Sequence, residues 1–189
     1  MRKINNIFIH CSATQPTWGQ GTNLRWKVDE IRSWHKARGF SDIGYHYVID
    51  RDGKVAKGRD EETIGAHAKG WNKDSIGICL LGGFGSNAND KFLDNYTQIQ
   101  QDVIVKKINE LLEKYGKDVV VRGHNEVSAK ACPGFVVMHW WDEVNGRATT
   151  EVQPKRTSEN VEEGSVSGDA SGASWVDMLV GVFRKLLSR

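Results

Sequence analysis

Ile76-Gly77-Ile78-Cys79-Leu80-Leu81 is apolar at every position. A strand with one wet face alternates polar and apolar residues, whereas a strand covered on both faces reads as an unbroken apolar run. The segment therefore predicts a central strand with helices above and below it. Two periodic stretches supply those helices. Over residues 24–39, Leu24, Val28, Ile31 and Trp34 recur at helical spacing and Gly39 is a stop signal; from Thr97 to Tyr115, Ile99, Val103, Val105, Ile108, Leu111 and Leu112 do the same and Gly116 ends the run. Further strands are expected from Ile4 to Ile9, from Tyr45 to Ile49 and over Val119–Val121, and Asp52-Gly53 marks a hairpin into a short strand around Val55. A helix from Phe135 to Val144, carrying Val137, Trp140 and Trp141, closes the domain. The expected fold is one α/β domain over residues 1–145, a mixed central β-sheet flanked by helices on both faces.

The chain has 189 residues, ample for one domain with a proper core and short for two large ones. A net charge of +2 and a pI of about 8.4 carry no nucleic-acid footprint, so no nucleic acid is expected as a partner. Three cysteines, an odd number without repeating spacing, exclude a disulfide framework and suit a reducing compartment. Cys11 and Cys79 read as core filler. The segment Met1-Arg2-Lys3-Ile4-Asn5-Asn6 lacks the apolar core of a secretory signal, so synthesis and initial retention in the cytosol are expected. Residues 146–173 are rich in Thr, Ser, Glu and Gly and read as a flexible linker. Residues 174–189 recover an amphipathic helical pattern, with Trp175, Leu179, Phe183 and Leu186 on a broad apolar face and Arg184, Lys185 and Arg189 among the cations. Such a helix is too short to cross a bilayer core of about 30 Å. It can lie on an anionic membrane or lipopolysaccharide, fold back on its own domain, or join copies of the chain into an oligomer.

Chemistry concentrates in Gly123-His124-Asn125-Glu126-Val127-Ser128-Ala129-Lys130-Ala131-Cys132-Pro133-Gly134, where helix and strand signals stop. It offers an imidazole, a thiol eight positions later and a lysine two residues before the thiol. Zinc binds imidazole and thiolate at about 2.0–2.3 Å, and a catalytic zinc takes three protein ligands and keeps the fourth position for water. His10, at the tip of the first predicted strand, is the third donor. Pro133 biases Cys132 toward extended or turn geometry. Spacing alone leaves two readings open: a metal site of His10, His124 and Cys132, or a buried free cysteine with two surface histidines. Tyr45, opening a strand, is by residue type a half-buried packing residue with an ordinary pKa near 10. His67 stands among small residues, Gly65-Ala66-His67-Ala68-Lys69-Gly70, which suits either a loop that a substrate approaches or plain surface. The glycine-rich stretch from Gly82 to Asp90 lacks the Gly-Lys-Ser/Thr ending of a phosphate-binding loop.

Four blocks in order carry a resemblance: Ile7-Phe8-Ile9-His10-Cys11-Ser12-Ala13-Thr14, Gly44-Tyr45-His46-Tyr47, His67-Ala68-Lys69-Gly70-Trp71-Asn72 with Ser75-Ile76-Gly77-Ile78, and His124 to Pro133. Together, from about Ile4 to Asp142, they resemble the zinc N-acetylmuramoyl-L-alanine amidases, the family of the small phage lysozymes that are amidases and of the peptidoglycan recognition proteins. The resemblance implies one Zn2+ per chain on His10, His124 and Cys132, peptidoglycan as substrate, Tyr45 beside the attacking water, Lys130 as the cation for the developing oxyanion, and His46 and His67 as substrate-binding residues. It further implies an endolysin released from the host cytoplasm to act at the wall. Two other classes share these features. A non-catalytic peptidoglycan-binding module would typically lack the thiolate, and Cys132 is present. A regulator that binds phage RNA polymerase is the other; little chain precedes the first strand, and a polymerase pull-down separates that role from the enzyme.

Overall fold

The computed structural model describes residues 1–146. The linker and amphipathic helix expected over 146–173 and 174–189 lie, from residue 147 on, outside the described residues. The strands are β1 (Asn6–Cys11), β2 (Tyr47–Ile49), β3 (Val55–Lys57), β4 (Ser75–Leu80) and β5 (Val120–Gly123). The helices are α1 (Leu24–Ala37), α2 (Phe92–Asn95), α3 (Gln98–Tyr115) and α4 (Val137–Val144). One sheet runs in the order β3-β2-β4-β1-β5. β4 pairs parallel with β1 and β2, β1 pairs parallel with β5, and only the β2–β3 hairpin is antiparallel. Parallel strands need crossovers and are covered on both faces. Accordingly β1 and β4 are buried at every position.

The two faces follow from the period of two along a strand. Ile7, Ile9 and Cys11 of β1, with Ile76, Ile78 and Leu80 of β4, pack against Ile104, Ile108 and Leu111 of α3 and Val137, Trp140 and Trp141 of α4. On the other face Val28 and Ile31 of α1 cover Val48, Cys79 and Leu81. Alternation places His10 on the α1 face, opposite to Cys11.

Local chemistry bounds the helices. Asn23 caps α1 by accepting from the Trp26 amide at 2.9 Å, and Gly39 takes φ 87° just past its end. Lys27 of α1 reaches Asp50 at 2.8 Å with both side chains nearly buried, clamping the helix to the end of β2. Thr97 and Gln100 form a reciprocal capping box on α3, and Gln100 also donates to the Leu81 carbonyl at 3.0 Å. The strand expected from Tyr45 begins at Tyr47 instead. Its first residues pair with a loop: the Arg59 amide donates to the Tyr45 carbonyl at 2.9 Å and the Ala66 amide to the Gly44 carbonyl at 3.0 Å. The four-residue α2 is too short to register as a period. Among the described residues no helix is long and apolar enough to cross a membrane.

Candidate metal centre

The carboxyl ends of parallel strands share one edge of a sheet, where ligands of open α/β folds bind. β1 ends with His10-Cys11 at that edge, and β5, its neighbour, runs out at Gly123 into a tight turn over His124–Glu126. The Glu126 carboxylate holds that turn by accepting from the Gly123 amide at 2.7 Å. The loop then doubles back: the Asn125 amide donates to the Cys132 carbonyl at 2.7 Å and the Cys11 amide to the Cys132 sulfur at 3.2 Å. The result is that nitrogens of His10 and His124 and the sulfur of Cys132 all lie within 4.8 Å of one another. Atoms that share a tetrahedral zinc at about 2.0–2.3 Å stand about 3.3–3.8 Å apart, so the three donors fit one ion with about an ångström of closure.

Hydrogen bonding selects which nitrogen of His10 faces the centre. Ser75 Oγ donates to the Trp71 carbonyl at 2.7 Å, so its lone pairs face His67 Nε2–H at 3.4 Å. His67 Nδ1 is then the acceptor for His10 Nε2–H at 3.1 Å. That leaves the His10 Nδ1 lone pair toward Cys132 Sγ, 3.9 Å away. A metal-binding imidazole held through its other N–H in this way has its tautomer and ring plane set in advance. The His67 loop is itself tied down by Asn72 Oδ1, which accepts from the amides of His67 and Ala68 at 2.8 and 2.9 Å. The ring lies over the bare backbone of Gly77 in β4, where a Cβ would come within 2.6 Å of it.

Burial lowers His10 and His67 well below the usual imidazole range and lowers His124 as well, so all three are neutral near pH 7, which leaves His10 and His124 free to bind metal. The interaction with the Cys11 thiol, and then burial, push the Cys132 thiol up, against the lowering effect of the Cys11 amide. Ionisation of Cys132 therefore belongs to metal binding itself.

One side of the centre opens on a cavity of about 430 Å³ lined by Tyr45, Lys130, Trp34, His35 and Arg38 together with His124 and Cys132. The Tyr45 ring sits 5.1 Å from that of His10 and 5.2 Å from that of His35. Burial raises the Tyr45 phenol well above its ordinary value. Lys130 is exposed at the rim of the same cavity.

Five of the seven sequence-derived residues are thus brought together: His10, His124, Cys132, Tyr45 and Lys130. His46 and His67, expected to contact substrate, stand elsewhere. His46 is fully buried, with Nδ1 accepting from the Gly77 amide at 2.9 Å and Nε2 facing the Thr63 carbonyl at 3.0 Å. Neither ring nitrogen is left for a ligand. His67 is buried behind His10 and supports it instead of lining the cleft. The sequence does not single out His35, whose Nδ1 accepts from the Gly44 amide at 2.8 Å beside Tyr45, or Arg38, and it places Trp34 only in the packing stripe of its helix.

Fold and site together define a class: an α/β protein with a His, His, Cys metal-type centre at the carboxyl edge of a mixed sheet, open on one side as a catalytic centre must be. The chain belongs to the N-acetylmuramoyl-L-alanine amidase family, whose model matches residues 1–135. It is 47% identical over 136 residues to the endolysin of Escherichia phage T7, covering 72% of this chain and 84% of that protein. To the endolysin of Klebsiella phage KP32 it is 40% identical over 141 residues, 75% of this chain and 87% of the relative. Among solved structures, the N-acetylmuramoyl-L-alanine amidase LysC from Clostridium intestinale URNW superposes with a TM-score of 0.62 at 27% identity, over 77% of this chain and 87% of that one. Drosophila PGRP-LB superposes with a TM-score of 0.61 at 25% identity, over 75% and 81%.

Proposed function

We propose that this chain is a zinc-dependent endolysin that hydrolyses the amide joining the lactyl group of N-acetylmuramic acid to the L-alanine of the stem peptide. The observation that carries the reading is the convergence of His10, His124 and Cys132 within 4.8 Å, beside a cavity that holds Tyr45 and Lys130. Bound there, zinc would supply a Lewis acid and a water of lowered pKa.

The chain's own residues supply the rest. His67 keeps His10 in the Nε2–H tautomer, so Nδ1 is presented without reorganisation. Lys130 places an ammonium at the cleft rim, where it stabilises the oxyanion that develops as the scissile carbonyl carbon becomes tetrahedral. Tyr45 is kept as a neutral phenol by burial. Its position allows two roles, orienting the attacking oxygen or, with the phenol lowered by a bound metal, deprotonating it. His35 positions Tyr45 through the Gly44 amide and ring contact. Cleavage adds water across the C–N bond and releases the stem peptide with a free L-alanine amine.

The test is metal analysis of purified protein together with the masses of fragments released from peptidoglycan. One zinc per chain and fragments with a new N-terminal alanine are expected, and Cys132→Ser should lose both zinc and lysis. Full activity in metal-free protein would end the mechanism. The site of action is then the cell wall after release from the cytoplasm. On sequence pattern alone, residues 174–189 would add contact with anionic lipid or lipopolysaccharide. Removing residues 148–189 should spare hydrolysis of purified peptidoglycan and weaken association with anionic vesicles; unchanged vesicle binding would refute that contact.

A further inference from the structure

Helix α1 shows two large indoles to solvent, Trp26 at 41% and Trp34 at 38% exposure. Eight residues apart, they lie on one side of the helix about two turns from each other. Trp18, from the loop before the helix, packs between them, with ring centroids 5.8 Å from Trp26 and 5.2 Å from Trp34. Full burial of a large apolar side chain is worth roughly 1.5–3 kcal/mol, and this surface forgoes part of that at two positions. Contiguous exposed apolar surface of this kind marks a binding site.

The strip joins two clefts. Trp34 lines the cavity beside Cys132, and Trp18 lines a second cavity of about 710 Å³ with Thr17, Gln20 and Lys54. Both volumes lie in the range of ligand sites, about 300–1,000 Å³. A continuous path therefore runs from the metal centre over Trp34 and Trp18 into the second cleft. In the second cleft Lys27 pairs with Asp50 at 2.8 Å, Lys54 with Asp52 at 2.7 Å and Arg25 with Asp29 at 2.9 Å, while Arg51 donates to the Asn95 carbonyl at 3.0 Å; at the other end Arg38 and Lys130 line the metal-centre cavity. The strip itself is aromatic and runs between the two clefts, and neutral hydrogen-bonding groups such as Thr17 and Gln20 stand at its edge beside the cations.

We propose that Trp34, Trp18 and Trp26, with the second cleft, form an extended subsite for the glycan strand of the wall polymer, a chain of N-acetylated amino sugars. This deepens the amidase reading and rests on it. A pyranose offers one face of C–H bonds to an indole and an edge of hydroxyl and acetamido groups to residues such as Thr17 and Gln20. A polymer makes use of two clefts joined by a strip, because holding the strand over α1 presents its stem-peptide amide at the metal centre. Trp34 serves both surfaces.

The test titrates the full chain with a β-1,4-linked N-acetylglucosamine oligomer, which has no muramoyl-alanine amide to cleave, while following indole N–H resonances. The resonance that Trp26→Ala removes should shift on titration. Trp26→Ala should weaken oligomer binding about 10-fold, the scale of one lost aromatic contact. It should raise KM for insoluble peptidoglycan by a similar factor and leave turnover of a short soluble muramoyl peptide unchanged, and Trp26→Phe should restore most of the loss. The proposal is overturned if the oligomer leaves the Trp18 and Trp26 resonances in place, if both substrates suffer alike, or if anionic vesicles shift these resonances and the sugar does not. A wild-type chain that cleaves neither substrate would sink the amidase reading, and the oligomer titration would still decide the sugar subsite.

Discussion

Replacing His67 with phenylalanine should cost zinc affinity without touching any ligand atom. In the native chain His10 is 1% exposed and its Nε2–H is held by His67 Nδ1 at 3.1 Å, so the tautomer that offers Nδ1 to the metal is already in place. With phenylalanine at position 67, the metal-free protein can relax by moving the His10 proton to Nδ1, which leaves no buried donor unpaired. Binding zinc at Nδ1 then forces the proton back to Nε2, where it faces an aromatic edge. An unsatisfied buried donor costs about 1–3 kcal/mol, and a tenfold change in affinity corresponds to about 1.4 kcal/mol. The expected loss is therefore about 10–100-fold, the range usual for partners that orient metal ligands. The assay is competition for zinc against a chromophoric chelator at pH 7, with circular dichroism and the unfolding midpoint as controls for the fold. His67→Asn is the informative companion, since its side-chain oxygen can stand near the position of Nδ1 and should recover much of the affinity. A folded His67→Phe protein that binds zinc as tightly as wild type would refute the reasoning. Equal losses in the Phe and Asn variants would assign the effect to packing against Gly77 and not to the hydrogen bond.

Lys130→Ala and Tyr45→Phe should each lower turnover about 10²–10³-fold with zinc content unchanged, as expected for groups that act on the transition state; single-turnover kinetics beside metal analysis checks this, and wild-type rates in both would remove these roles. Glu61 supplies a pH signature. Burial works to raise its carboxyl, but hydrogen bonds from Lys114 at 2.7 Å, Tyr115 at 2.5 Å and Tyr47 outweigh that and hold it at about 2. A depressed folded-state value means that the contribution is fully present above the unfolded value near 4.5 and is lost as pH falls toward about 2. After allowance for its partial exposure the contribution is roughly 1–2 kcal/mol. Urea unfolding of wild type and Glu61→Gln should differ by that amount at pH 7 and converge at pH 2–3; a gap independent of pH would show that the ion pair and phenol bonds are not its source.

The elements that could be read from the chain are those whose burial is written locally. The unbroken run from Ile76 became β4, the helical stripe of Leu24, Val28 and Ile31 became α1, and the pattern ending at Gly116 became α3, because covering a strand on both faces or a helix on one leaves a period that short windows detect. Donor chemistry was equally legible. Imidazole, thiol, phenol and ammonium at His10, His124, Cys132, Tyr45 and Lys130 state what each residue can do wherever it stands, and strand ends are where such groups can meet.

What the chain could not state alone is which of them meet, and by what support. Setting β1 between β4 and β5 is what brings His10 beside His124, and the Asn125 to Cys132 backbone bond is what folds the thiol back to both. His67 lies among small and polar residues that suit an accessible loop, and the resemblance alone gives His46 a substrate role, yet both are buried. Gly77 shows why. Within a strand a glycine has no local meaning, and only the ring of His67, lying where its side chain would have been, explains it. The period of a pattern is a property of neighbours along the chain, whereas a tautomer and a shared cavity arise between segments far apart in sequence, and those only the tertiary structure decides.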